Sequence, residues 1–467
     1  MSVLADVVAA QAAAEARALV LDAAAVVDSG DQPVLASIER AAQRTGAAIG
    51  LAAVTGVLDW AGRRCPPQAV CPVDPAHRGR LVARRPRTVR TLLGTVDLAR
   101  GYYHCRACAK THRSGGFAPL DTRLGIGRAS LSPGLARAAA LTGAETAYAK
   151  GHDLIATVTG LDLASTSTLA RATGTAGRRA RALTDAEHDQ ATRARAQVPP
   201  ARTDGPDLCY IVLDGTGAPV LPRETTGRAG KDGTRARTRE VKIGCLFTQS
   251  GLDPVTGEPV QDPGSATYVS TFAPAASFGT QVKAEYLRRS LDQVRQPIVL
   301  GDGAHWIWNL ADTHFPSATQ IVDYYHAREH LSNLVKHLTS VLDDPDTFTK
   351  HLVDALDLGR TNTIAEAVDH LDLPTRAPDL VKDATTEVGY FTGNHHRMQY
   401  ADFKANGYYI GSGFVESACN TIVKQRAKRA GMHWTIAGLD PVIALRTLHQ
   451  SGRDHLLWPE TDPTPQT

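Results

Sequence analysis

The chain has 467 residues, is 43% apolar and 21% charged, and carries a net charge of +3. That length exceeds one hydrophobic core, so about two to four domains are expected, and the ordinary composition excludes a collagen-like or wholly disordered chain. No run of about 18 apolar residues and no basic segment leading into an apolar one occur, so neither a membrane span nor a secretory signal is expected, and the seven cysteines read as thiols or metal ligands, not as a disulfide framework.

Residues 1–60 are alanine-rich with a helical pattern and carry no chemistry; packing or oligomerisation is the expected role. Residues 61–118 change character. Arg63-Arg64-Cys65 and Cys71 precede a basic stretch with Arg78, Arg80, Arg84, Arg85, Arg87 and Arg90. Strand-like residues follow from Thr91 to Leu98, and then Tyr102-Tyr-His-Cys-Arg-Ala-Cys108. Cys105 and Cys108 form a CxxC knuckle, whose spacing lets two thiolates share one tetrahedral Zn²⁺. Cys65 and Cys71 are the partner pair, spaced more widely than usual, and His77, His104 or His112 could replace one of them. The reading is a zinc-ribbon-like module; the alternative is a small β unit with reduced structural cysteines. In a ribbon, the arginines would touch phosphates, which positions a nucleic acid without reading its sequence.

Residues 119–200 read as helical. Leu131-Ser-Pro-Gly starts one helix with proline in its first turn, a second pattern runs from Ala147 to Ile155, and a third helix begins near Ser165 after Gly160. Helices joined by a short glycine-bearing turn are compatible with a helix-turn-helix or with a plain helical hairpin. A polar stretch with Arg178, Arg179, Arg181, Arg193 and Arg195 ends at Pro199-Pro200, a linker signal.

Residues 201–326 alternate strands and helices. The continuous apolar run Cys209-Tyr-Ile-Val-Leu predicts a buried strand ending at Asp214-Gly-Thr-Gly. Val241 to Phe247 and Ala266 to Phe272 are the second and third strands, and Phe278 to Val294 carries the pattern of an amphipathic helix. Pro297-Ile-Val-Leu is a fourth strand ending at Asp302 in Gly301-Asp-Gly-Ala; a short helix from Trp306 and a fifth strand, Thr319 to His326, follow. Three strands, helix, strand, helix, strand is the ribonuclease-H-like order. It makes the first and fourth strands central neighbours and sets Asp214 beside Asp302.

Residues 327–404 read as an all-α insertion, broken at Pro374 and Pro378. Residues 405–455 return to the α/β domain, and residues 456–467 read as a disordered tail. Within the return, Ser412 to Gly431 predicts one helix, capped by Ser412 and ended by Gly431. Val415, Ala418, Cys419 and Ile422 make its apolar face, and Glu416, Asn420 and Lys424 make an adjacent stripe. A carboxylate in a first turn can be simply a dipole-compensating charge. Two upstream strands that each deliver an aspartate give it another role.

Adjacent carboxylates repel unless a cation lies between them. Mg²⁺ takes oxygen ligands and is held by carboxylates plus substrate phosphate, and two such ions promote phosphodiester displacement. Asp214, Asp302 and Glu416 are the three expected ligands, with Asp214 bridging. Val212-Leu-Asp-Gly-Thr-Gly, Arg237-Thr-Arg-Glu-Val-Lys-Ile-Gly, Val299-Leu-Gly-Asp-Gly-Ala-His-Trp-Ile-Trp-Asn, Ile321-Val-Asp-Tyr-Tyr-His-Ala-Arg-Glu-His-Leu, Gly411-Ser-Gly-Phe-Val-Glu-Ser and Arg429-Ala-Gly-Met-His-Trp stand in this order. Over residues 90–455 the chain thereby resembles the DDE transposases of bacterial insertion sequences, specifically the Kra group (ISKra-type).

The resemblance implies Asp214, Asp302 and Glu416 as a catalytic triad, two Mg²⁺ or Mn²⁺ ions, and metal-dependent DNA cleavage and strand transfer. It also implies element terminal repeats and target DNA as partners, a homo-oligomer in the synaptic complex, no membrane, and a place in the bacterial cytoplasm with the nucleoid. The family's cysteine region carries two CxxC pairs; here Cys65 and Cys71 stand for the first. Asp323 and His326 resemble the Cys/Asp-x-x-His signature of Mutator-like transposases and would support the site, or form a buried pair that braces the sheet. Trp306, Trp308 and Trp434 could stack on a base or pack in the core. Lys242, Arg328, Lys424, Arg426, Lys428 and Arg429 are candidate phosphate contacts, or a solvated basic face. Rival readings are a ribonuclease-H-like nuclease or resolvase, and a catalytically dead zinc-bearing DNA-binding regulator.

Overall fold

The computed structural model describes residues 2–28, 35–111, 115–162, 164–194, 207–230 and 233–459. His112, Arg195, Pro199-Pro200 and residues 460–467 of the expected tail lie outside the described residues. The chain divides into two compact units, Met1–Thr175 and Ala176–Thr467.

The first unit opens with helices α1 (Ser2–Asp28) and α2 (Leu35–Arg63). They pack on each other, and α2 also packs on strand β3. By length and composition α2 could cross a membrane, with a mean hydropathy of 1.2 in its most apolar window. A buried core helix of a soluble protein passes the same test; here 11% of that window is buried. An antiparallel sheet follows: β1 (Gln68–Val70), β2 (Arg78–Thr91), β3 (Gly94–His104) and β4 (Gly116–Phe117), paired in that order. Strands β2 and β3 form a long hairpin with a register shift between Leu81 and Ala83. Helix α3 (Arg106–Thr111) sits between β3 and β4, and α4 (Pro119–Arg123) follows. Val89, Leu98 and Ile126 make the small core beneath the hairpin.

Helices α5 (Pro133–Glu145), α6 (Tyr148–Thr159) and α7 (Thr166–Ala194) come next. The local chemistry is the expected one. Ser132 Oγ accepts from Leu135 N at 3.2 Å, and Pro133 occupies the first turn. Gly160, at φ 67°, ends α6 in the left-handed region.

The second unit is built on five strands: β5 (Leu208–Pro219), β6 (Thr238–Gln249), β9 (Thr267–Thr271), β10 (Gln296–Gly301) and β11 (Thr319–Val322). A two-stranded ribbon, β7 (Gly251–Leu252) and β8 (Pro259–Val260), projects between β6 and β9. The five lie in the order β11-β10-β5-β6-β9; β10 runs parallel to β5 and β11, while β6 is antiparallel to β5 and β9. The mixed sheet and helices make an α/β unit, with the first and fourth large strands adjacent. Helices α8 (Ala275–Arg288) and α9 (His305–His314) supply the crossovers, and Leu213, Ile243, Phe278, Val282, Leu300 and Ile307 are all fully buried between sheet and helices.

Beyond β11 come α10 (Tyr324–Leu338), α11 (Pro345–Asp357), α12 (Thr361–Asp369), α13 (Leu373–Arg376), α14 (Val381–Gly393) and α15 (Tyr400–Ala405). Then come α16 (Gly413–Ala418), a π-helix (Cys419–Lys424), α17 (Gln425–Ala427) and α18 (Ile436–Gln450).

Three expected boundaries move. β5 does not stop at Asp214 but continues to Pro219, because Gly215 and Gly217 pair with Lys242 and Glu240 of β6. A Cβ at Gly215 would meet Glu240 Oε1 at 2.4 Å, so glycine there permits close strand approach instead of making a turn. β11 stops at Val322, because Asp323 caps α10 by accepting from His326 N at 2.6 Å. The single helix expected from Ser412 to Gly431 is a composite ending at Ala427, and Ser412 makes no side-chain cap.

Candidate functional site

Register sets the centre of the site. Gly301 of β10 pairs with Leu213 of β5, so Asp302 and Asp214 follow side by side where the two parallel strands part. Asp214 Oδ1 accepts from Gly215 N at 2.6 Å, and its Oδ2 accepts from the Cys419 thiol at 3.1 Å. Burial raises the Asp214 pKa, and the charge of Asp302 adds to that; the Cys419 thiol, the Gly215 amide and Lys424 act against it. Burial, with Asp214 beside it, pushes the Cys419 thiol up as well.

Asp302 is fixed from two sides. Its Oδ1 accepts from Ala304 N at 2.9 Å, and its carbonyl oxygen accepts from the Tyr390 hydroxyl of α14 at 2.9 Å. Gly303, at φ 98°, lets Tyr390 approach; a Cβ there would meet Tyr390 Cε2 at 2.6 Å. Tyr390 stacks on His330, ring centroids 3.7 Å apart, and His330 Nδ1 lies 2.6 Å from Glu387 Oε2. Burial raises the Tyr390 pKa, and Asp302, Asp323, Glu387 and Glu329 push the same way, so the phenol stays a donor. Sequence reasoning missed Tyr390, His330 and Glu387, whose local spacing does not mark them, and placed Cys419 on the apolar face of its helix without assigning it to the site.

Glu416 is exposed on α16, which packs against β5 and β6. Cys419 is three residues further along, and side chains at that spacing on a helix are neighbours. Glu416 therefore lies about one turn from the thiol that touches Asp214. The three carboxylates are not gathered to within 4.8 Å of one another; among the described residues only Cys71, Cys105 and Cys108 form such a cluster of possible metal-ligand atoms.

Asp323 ties the surroundings together. It is 4% exposed, its amide donates to Gly301 O at 2.8 Å, and its Oδ2 accepts from Ser412 N just before α16. One residue thus links the end of β10 through its amide with the starts of α10 and of the Glu416 helix through its carboxylate. His326 lies in the first turn of α10, with Nδ1 3.5 Å from Glu329 Oε2 and its ring 5.2 Å from His330.

The basic candidates separate. Lys428 Nζ donates to Thr216 Oγ1 at 3.2 Å beyond Asp214 on β5; burial lowers its pKa and Lys424 lowers it further. Lys424 acts electrostatically on Asp214. Arg328 Nη1 donates to Tyr324 Oη at 3.1 Å, and Arg429 Nε donates to Gln425 O at 2.9 Å. Arg426 is 1% exposed with its guanidinium 4.8 Å from the Trp434 ring, and Lys242 is buried and paired with Glu240. Trp308 is buried under Arg397, Trp306 packs on Phe278, and Trp434 Nε1 donates to Ala427 O at 3.3 Å. All three indoles are packing residues here.

In the first unit the Cys71, Cys105 and Cys108 thiols come together, buried, with Cys71 Sγ and Cys108 Sγ 3.6 Å apart. This is a set of soft donors that could hold a metal such as zinc. Burial pushes Cys108 up to about 12, reinforced by Cys71 and Cys105, whereas Cys71 is lowered, chiefly by the Asp74 amide. Cys65, expected as a fourth ligand, is not part of this cluster. Its thiol donates to Gly62 O at 3.1 Å, where α2 ends at Arg63.

No family model and no curated protein matches the chain. A solved structure titled "Drosophila P element transposase strand transfer complex" aligns at 10% identity over 69% of this chain and 92% of that one, with a TM-score of 0.30, too low to carry an argument.

Proposed function

We propose that the chain is a DDE transposase, with a ribonuclease-H-like catalytic domain that cuts and joins DNA. The observation that carries this is the pairing of Gly301 with Leu213, which brings Asp214 and Asp302 together on adjacent central strands in the order β11-β10-β5-β6-β9. Support comes from α16, which packs on β5 and β6 and carries Glu416. The ordered sequence likeness to the Kra group points the same way.

The donors fit divalent metal: they are hard oxygens, two of them adjacent, and burial with mutual repulsion raises Asp214, a strain that a cation relieves. When bound, two Mg²⁺ or Mn²⁺ ions would activate the attacking oxygen and stabilise the leaving one. Asp214 and Asp302 would hold that charge, and Glu416, exposed on α16, would have to turn toward Asp214 to complete the set. Tyr390 keeps the Asp302 turn in place, and Asp323 fixes where α16 begins. Lys424, which acts on Asp214, and Lys428, which reaches Thr216, would neutralise a phosphate placed there.

The test uses the purified chain, Mn²⁺ or Mg²⁺, and duplex oligonucleotides copied from the DNA ends flanking its gene, pre-cut to leave a 3′-hydroxyl. The expected result is joining of that end to a plasmid, lowered at least ~100-fold in Asp214→Asn, Asp302→Asn and Glu416→Gln, as removal of a group that stabilises transition-state charge would give. Hydrolysis without joining would favour a nuclease. Unchanged activity in Asp302→Asn would overturn the triad.

A further inference from the structure

Cys65, the expected companion of the three buried thiols, donates to Gly62 O instead of joining them. The β1–β2 loop supplies a different one. This loop runs from Cys71 to His77 and closes on itself: Cys71 N donates to His77 O at 3.1 Å and His77 N to Asp74 O at 3.0 Å. Closure brings the backbones of Cys71 and His77 together at the loop's mouth. Across from them, β3 ends at His104, and Cys105 N donates to Gly115 O at 2.8 Å, which presents Cys105 and the α3 residue Cys108 to the same point. His77 Nδ1 lies 3.3 Å from Cys108 Sγ.

The three thiols lie within 4.8 Å of one another, and His77 stands outside that group but against one of its members, Cys108, so a small turn of the imidazole would bring it to a shared tetrahedral ion. With Zn–S near 2.3 Å and Zn–N near 2.0–2.1 Å, neighbouring ligand atoms stand about 3.5–3.8 Å apart. The 3.6 Å between Cys71 and Cys108 thiols and the 3.3 Å from His77 to Cys108 fall close to that. A disulfide needs about 2.05 Å between sulfurs, so the pair is not one. The other ring nitrogen adds an independent sign. His77 Nε2 lies 3.3 Å from Asp74 Oδ2, and Asp74 Oδ1 is itself fixed by accepting from Ala76 N at 2.9 Å. A carboxylate on the far nitrogen keeps the proton there and leaves the Nδ1 lone pair facing the thiols, which is the usual outer arrangement of a metal-bound histidine.

We propose that Cys71, His77, Cys105 and Cys108 form a closed structural zinc site, with Asp74 orienting His77 and Cys65 outside it. Four protein ligands leave no position for water or substrate, so the ion is structural. Its ligands lie just before β2 and just after β3. The ion therefore clamps the open end of the hairpin that carries Arg80, Arg84 and Arg85. This inference is independent of the transposase reading.

The experiment uses the full-length protein. Zinc content is measured after purification, and Co²⁺ is then substituted to read the coordination sphere from its absorption. The expected results are one zinc per chain, a tetrahedral cobalt spectrum with thiolate charge transfer, and an unchanged spectrum in Cys65→Ser. Cys108→Ser loses the ion. His77→Cys, which keeps four ligands, gives a spectrum with stronger thiolate charge transfer. Asp74→Asn keeps the stoichiometry but weakens zinc affinity about 10–100-fold in chelator competition. A wild-type chain without zinc would overturn the proposal. So would loss of the ion in Cys65→Ser, or a His77→Cys spectrum identical to wild type.

Discussion

Asp214 carries the tension of the site in a single side chain. It is held off bulk water and faces Asp302, with the Cys419 thiol, the Gly215 amide and Lys424 acting against the rise. Its folded-state pKa is raised above the unfolded value of about 3.9, so the folded chain binds its proton more tightly. Folding stability then falls as pH rises from below the unfolded value through the folded one, and at neutral pH the whole penalty is present unless a cation offsets it. Asp214→Asn should therefore raise the melting temperature in chelator while abolishing strand joining. Mg²⁺ or Mn²⁺ should raise the melting temperature of the wild type and leave that of the variant unchanged. Scanning calorimetry of both proteins with and without metal decides it, and a lower melting temperature for the variant in chelator would contradict the account. The aspartates were legible because each follows a continuous apolar run. Cys419 was not: on an apolar stripe a buried cysteine looks the same whether it faces leucine or a carboxylate.

The helix that bears Glu416 is unusual in its backbone. Between Cys419 and Lys424 it widens to a π-turn, a rare form that is frequent at functional sites. Arg446 of α18, 1% exposed, answers this: its Nε donates to Thr421 O at 3.0 Å and Ile422 O at 3.1 Å, and Nη2 also reaches Thr421 O. A buried guanidinium so supplies charge-assisted donors to carbonyls of the widened turn. The turn lies between Cys419, which touches Asp214, and Lys428, which touches Thr216. Arg446→Leu should cost at least about 3 kcal/mol, counting one bond to each of the two carbonyls at about 1.5–3 each, and should depress strand joining more than its stability loss explains. Urea titration gives the first quantity; a change within about 0.5 kcal/mol, typical of an inert surface site, would remove Arg446 from this role. Periodicity found the inward residues Val415, Ala418, Cys419 and Ile422, all buried. It also puts Arg426 inward, four residues after Ile422, but within a basic run an arginine reads as part of a charged face. A π-turn leaves no mark in a pattern read at helical spacing.

At the level of the whole chain, the sheet order was readable because each strand of the second unit is a short apolar run between turn signals. The extension of β5 past Asp214 was not, since Gly215 and Gly217 look like a turn until β6 is seen to need their missing side chains. The same limit left His77 as one of three candidate histidines: it is brought up to Cys108 by the β1–β2 loop and the end of β3, not by sequence spacing. Net charge was likewise a poor guide. The overall +3 conceals a segregation. On the β2–β3 hairpin Arg78, Arg80, Arg84 and Arg85 are exposed, whereas Arg87 and Arg100 both pair with Asp121, at 2.6 and 2.9 Å. If the hairpin lies along DNA, the exposed set meets phosphate and the paired set holds the fold. Replacing Arg80, Arg84 and Arg85 together with glutamine should then reduce the slope of log affinity against log salt by roughly two to three, at about 0.9 for each phosphate no longer neutralised. Fluorescence anisotropy with a random duplex across a KCl series measures this. Arg87→Gln should leave that slope alone and lower the melting temperature instead. Equal slopes for the triple variant and the wild type would take the hairpin off the DNA and leave phosphate binding to Lys424 and Lys428.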